Sequence, residues 1–245
     1  PLGAVSSFFY GTIQSALFTL IAVYATSMNF TILEISIVTF LLAVSGSIAQ
    51  FPIGKLSDIY DRRKVLVISS FGAALFAVIS IIVSRQMYLP DGLATSKTLF
   101  YFFFILFSFC SLPMFSLILA HTNDNISKEK FVAAGAGLQF IFGLGAMSGP
   151  FLCSLFMDFV GPNGFFVFLF FFHSVIGFFG IYRMSVRKTI ENPDSQFVAM
   201  PQTITPAGIE LNPSTEHIEE PYSDKVKEIL ERKGVKYKKT ESQTQ

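Results

Sequence analysis

Among the polar side chains inside the long apolar runs of this chain, Gln14, Tyr24, Gln139 and His173 are the notable ones. Each can hydrogen-bond a solute or a neighbouring helix, and His173 can also exchange a proton near neutral pH. A polar group in apolar surroundings is costly, so these residues are candidates for a solute or proton path; packing within a bundle is the alternative for each. Glu34 joins them as the only acid between Pro1 and Gly54. Thr31-Ile32-Leu33-Glu34 is also a T-x-x-E capping box, which accounts for Glu34 as a helix start. A denser charged segment runs Gly54-Lys55-Leu56-Ser57-Asp58-Ile59-Tyr60-Asp61-Arg62-Arg63-Lys64-Val65. There are no paired carboxylates, no metal-spaced His and Cys set, no Ser-His-Asp arrangement and no phosphate-cradling glycine loop. Neither an enzyme nor a cofactor is expected.

The elements that carry these residues follow from composition. Half of the chain is apolar (51%), only 14% is charged, and the mean hydropathy is +0.55. That balance is wrong for a soluble domain and fits a protein solvated by lipid. A membrane-crossing helix needs about 20 apolar residues. The sequence supplies six such runs, near 8–28, 35–54, 65–84, 98–120, 131–157 and 164–182. Runs of this length without alternation exclude strands, so an all-α integral membrane bundle is predicted over 1–188. Pro52 and Pro113 mark expected kinks, and Cys110 and Cys153 read as small buried side chains inside spans. From 189 to 245 the chain turns polar and proline-punctuated, an extended or disordered tail with one short amphipathic helix near 223–233.

Basic residues in the short connections set the orientation. Lys55, Arg62, Arg63, Lys64, Lys128, Lys130, Arg183, Arg187 and Lys188 fall on one side, and Arg85 and Lys97 on the other. The first side is expected to be cytoplasmic, with both ends of the six-helix unit there. A net charge of +1 gives no case for a nucleic-acid partner. The lipid bilayer is the expected surrounding. The chain starts at Pro1 without a charge before Glu34, which reads as a fragment of a longer protein.

The charged segment resembles the signature loop of the major facilitator superfamily at Gly54, Leu56, Asp58, Arg62 and Arg63; Asp61 stands where the general pattern has glycine. The resemblance implies a gating role for Asp58, Arg62 and Arg63, with Asp58 set against the N-terminus of a neighbouring helix. The alternative is that Arg62, Arg63 and Lys64 serve only as topology charges. Gly145-Ala146-Met147-Ser148-Gly149-Pro150 resembles the Gly-Pro element of superfamily helices five and eleven. On physical grounds, Gly145 and Gly149 permit close helix crossing and Pro150 bends its helix.

A run of further matches is similar to the carboxy-terminal half of YcaD-type bacterial members: Ser111-Leu112-Pro113, Ala120-His121-Thr122-Asn123-Asp124, Met157-Asp158, Gly161-Pro162 and Phe197-Val198-Ala199-Met200-Pro201-Gln202-Thr203. The fourth run also lacks the Arg common in amino-terminal halves.

What the resemblance implies is one half of a major facilitator fold in a bacterial inner membrane. Its partner would be an amino-terminal six-helix half missing from this chain. Together they would move an unknown small solute by alternating access, with proton coupling by family analogy. The competing reading is a non-transporting six-helix assembly or sensor component acting as a homo-oligomer. Orientation is testable directly: Asp91→Cys should react with an impermeant thiol reagent in intact cells and Ser195→Cys should not. Reaction at position 195 would reverse the assignment.

Overall fold

The computed structural model describes residues 2–86, 93–126 and 130–186, and these are all-α. Among the described residues seven helices form: α1 Leu2–Ser27, α2 Ile32–Ile59, α3 Arg62–Gln86, α4 Leu93–Ser111, α5 Met114–Asn123, α6 Phe131–Val160 and α7 Gly164–Val186. With α4 and α5 taken as one broken span, six spans are long and apolar enough to cross a membrane. The short helix expected near 223–233 and the rest of the 189–245 tail lie outside the described residues.

Several boundaries differ from the sequence reading for local reasons. α1 begins at Leu2 rather than near Phe8, because Ser6 and Ser7 are buried in the bundle and extend its packed face. α2 does not stop at Gly54; it runs on to Ile59, so most of the signature segment is helical and only Tyr60 and Asp61 bridge to α3. Arg85 and Lys97 belong to α3 and α4 rather than to a long outer loop. Span four breaks at Leu112-Pro113, where the proline supplies no amide hydrogen to the carbonyl one turn back. Pro52 and Pro150, by contrast, lie within the continuous helices α2 and α6.

The bundle is built on close pairs. α1 and α6 run parallel and meet at backbone distance: a Cβ at Gly145 would strike the Phe8 carbonyl, and one at Gly149 the Thr12 carbonyl. Gly11 returns the contact against the Phe142 carbonyl. Hydroxyls seal the seam, with Ser7 Oγ donating to the Leu138 carbonyl at 2.9 Å and Thr12 Oγ1 to the Gly145 carbonyl at 3.2 Å. Between helices in lipid there is little hydrophobic drive, so this closeness and these bonds are what hold the pair. At the end away from the signature segment, Tyr24 of α1 packs against Phe100 of α4 and Phe165 and Phe166 of α7, with ring centroids 5.0–6.0 Å apart. The turn into α7 uses Gly161 at φ +81°, and Ser84 Oγ donates to Asn163 Oδ1 at 2.6 Å to tie that turn to α3.

The seam makes a sharp expectation. Gly145→Val or Gly149→Val should cost about 1–3 kcal/mol by overpacking. Gly143→Val, where a Cβ meets nothing within 4 Å, should be neutral by comparison. Thermal unfolding in detergent, followed by loss of the monodisperse peak, measures the difference.

Candidate functional site

The charged residues of the signature segment converge where α2 ends and α3 begins. Asp61 carries the first helical bonds of α3 on its carbonyl, accepting from the Lys64 amide at 2.8 Å. Its side chain accepts from the Arg63 amide at 2.9 Å, so Asp61 is the N-cap of α3. The same carboxylate pairs with the Arg63 guanidinium at 3.2 Å. Three consecutive cations, Arg62, Arg63 and Lys64, therefore open a helix whose N-terminus disfavours positive charge, and Asp61 offsets that cost on the spot.

Arg62 reaches further. Its Nη2 meets Asp58 at 3.2 Å, one turn back across the α2–α3 turn, and its Nε meets Asp124 at 2.9 Å. Asp124 caps the C-terminus of α5, the end of a helix that disfavours an anion. Arg62 supplies the missing positive charge and so fastens the start of α3 to the end of span four. Both arginines are more than nine-tenths buried. Buried charges persist only when paired, and three carboxylates stand around these two guanidinia.

The remaining candidates are spread over α1, α2, α6 and α7. Tyr24 lies in the aromatic cluster described above. Glu34 completes its capping box, accepting from the Thr31 amide at 2.7 Å while Thr31 Oγ1 accepts from the Glu34 amide at 3.3 Å. It also pairs with Lys97 of α4 at 2.7 Å, and that ammonium lies 4.9 Å from the Phe30 ring centre. His173 is sealed from solvent. Its Nδ1 lies 2.8 Å from the Leu169 carbonyl, which can only accept, so Nδ1 carries the proton and Nε2 accepts from the Ser111 hydroxyl at 2.9 Å. That bond staples α7 to α4 beside the Pro113 break. Tyr10 holds the break from the other side, donating to the Leu112 carbonyl at 3.0 Å. Gln139 is half-buried on α6, next to Leu138. Gln14, one turn from Tyr10 on α1, is 5% exposed, and its Oε1 has no hydrogen-bond partner among the described residues. Asp158 lies in the last turn of α6.

Sequence reasoning missed Asp124 and the cap role of Asp61. Asp61 carries a legible signal, an Asp directly before a helix start. Asp124 has none, because its partner lies 62 positions away in the chain. Cys153 is buried and Cys110 half-buried, both as free thiols. Among the described residues, no three His, Cys, Asp or Glu side chains are grouped to hold a metal ion.

Six spans with a charge clasp at the second-to-third junction define a polytopic membrane protein whose helices are held in register by buried ion pairs. A family model for the Major Facilitator Superfamily matches residues 3–227, and the chain belongs to that superfamily. It is similar to an uncharacterized MFS-type transporter of Yersinia enterocolitica, 23% identical over 199 residues that cover 81% of this chain and 47% of that protein. It is also similar to the uncharacterized MFS-type transporter YfkF of Bacillus subtilis, 28% identical over 149 residues covering 59% and 34%. The chain thus spans about half the length of the first relative and a third of the second. No solved structure matches it.

The clasp and the cap separate in stability measurements. Asp124→Ala removes a charge-assisted bond from a buried guanidinium and should cost about 1.5–3 kcal/mol. Asp61→Ala should cost about 1 kcal/mol as a lost cap, added to its ion-pair loss, and Asp61→Asn should recover the cap share because Asn caps as well as Asp. Denaturant unfolding of the purified variants reads these differences.

Proposed function

We propose that this chain forms the carboxy-terminal half of a secondary carrier that moves a small solute across the membrane by alternating access, coupled to protons. The observation that carries the reading is the uneven covering of the helices. α2 and α6 bury the least of their length, and they leave Phe40, Phe51, Phe140, Met147 and Phe151 each more than 60% exposed. A second six-helix half laid against those faces completes a carrier with its solute near the midplane, as in folds built from repeated halves. The share of each relative covered by the chain supports the same view.

Within that reading Gln14 is the residue we place against the solute, since its carboxamide oxygen is left without a hydrogen-bond partner among the described residues. Arg62, Asp58 and Asp124 act as the gating clasp at the cytoplasmic end. Tyr24, Glu34 and His173 already have structural work, so the coupling proton is assigned to no residue of this half.

Expressed by itself, the chain should insert into the membrane and fail to transport, because a midplane site needs walls from both halves. Co-expression with a six-helix amino-terminal half should restore uptake, and Gln14→Leu should then reduce it. Saturable uptake by the chain alone in proteoliposomes would overturn the half-carrier reading in favour of a homodimeric transporter.

A further inference from the structure

At the signature-segment end Arg62 and Arg63 are neutralised by carboxylates within the protein, and the other described cations there, Lys55 and Lys130 among them, are not. Among the described residues Lys64, exposed on α3, and Arg183, in the last turn of α7, have no ion pair. Arg183 also has its Nε shut away from solvent without a hydrogen bond, so the stem of its guanidinium is fixed against the bundle while its terminal nitrogens remain open.

The two residues come to one level through the register of α3 against α7. Gly177 lies against the ring of Phe71, where a Cβ would come within 2.9 Å, and Gly180 lies against Val67. These helices run antiparallel, and one more turn in the same register sets Arg183 opposite Lys64. Directly toward the membrane interior the surface is apolar and uncovered: Ile68 is 66% exposed and Phe178 65%, with the Phe71 and Phe178 rings 5.2 Å apart. Tyr182, also exposed, stands at the level of the cations, where an aromatic with a polar tip favours the headgroup region.

We propose that Lys64 and Arg183 form a binding site for the phosphate of an anionic phospholipid, whose acyl chains lie along Ile68, Phe71 and Phe178. A guanidinium and an ammonium together match a phosphate in charge and geometry, the guanidinium by its planar fork and the ammonium as a point charge. The apolar surface beneath selects a lipid over a free anion, since inorganic phosphate gains nothing from it. Arg62 and Arg63 are not part of the site, because their carboxylate partners already occupy them.

The test is native mass spectrometry of the full chain in detergent, titrated with phosphatidylglycerol, phosphatidylcholine or inorganic phosphate. Phosphatidylglycerol should be retained in preference to the other two. Each basic residue that meets the lipid phosphate contributes about fivefold to its binding, so the Lys64→Gln, Arg183→Gln double variant should bind about thirtyfold more weakly. Lys55→Gln, an exposed lysine on α2 at the same end, should leave binding unchanged. Undiminished retention in the double variant, or an equal loss in Lys55→Gln, would overturn the proposal. Inorganic phosphate competing as well as its lipid counterpart would also overturn it, in favour of a soluble-anion site. If the double variant does not fold, Lys64→Gln alone decides the matter, because its side chain is exposed; an unchanged affinity in that variant counts against the site.

Discussion

A polar group in the hydrocarbon region of this bundle is costly unless it finds its partner inside the protein, because the bilayer core offers none. The serines show how cheaply this is done. Ser45, Ser70, Ser80 and Ser108 each donate to a carbonyl one turn earlier in their own helix, at 2.6–2.8 Å. Such a bond leaves the side chain polar in name but closed to its surroundings. Only a few hydroxyls reach another helix, and they do so where two backbones already touch or where a helix is broken.

The α1–α6 seam and the Pro113 break are two responses to the same constraint. At the seam, glycines let carbonyls of one helix approach the backbone of the other, and Ser7 and Thr12 bond across the join. At the break, Pro113 disturbs the carbonyl ladder; Tyr10 answers at Leu112, while Ser111 is taken up by His173. Interhelical bonds in membrane proteins average only about 0.6 kcal/mol, so their value here lies in specificity more than in strength. They fix which residues meet. A His173 committed at both ring nitrogens is thereby a structural part before it is a proton carrier.

How much of this could be read from the chain differs by kind of signal. The six spans were legible because their length and apolarity are set by bilayer thickness, and the Glu34 cap was legible because its signal is local. Span boundaries at Leu2 and Ile59 were not, since whether Ser6 or Lys55 continues a helix depends on neighbours that hydropathy does not report. The signature segment showed its charges but not their pairing: Asp61, read as a departure from a turn glycine, caps α3, and Asp124, read only as part of a similarity, completes the clasp. Pairings across 62 or 63 positions, such as Arg62 with Asp124 or Glu34 with Lys97, leave no periodic trace in sequence.

Span four gathers these threads, since its charges oppose its own helix dipole at both ends. Lys97 lies near the N-terminus of α4 and Asp124 caps the C-terminus of α5, each the disfavoured sign at that position. Neither charge would be chosen for the stability of the span taken alone. Each is answered from outside, Lys97 by Glu34 at the start of α2 and Asp124 by Arg62 at the start of α3. The span is thus tied at its two ends to two other helices and interrupted between the ties at Leu112-Pro113. A continuous helix clamped at both ends transmits any displacement of one end to the other. A broken one can absorb it at the break, where Tyr10 holds the Leu112 carbonyl and His173 the Ser111 hydroxyl, so the two ties are not rigidly coupled.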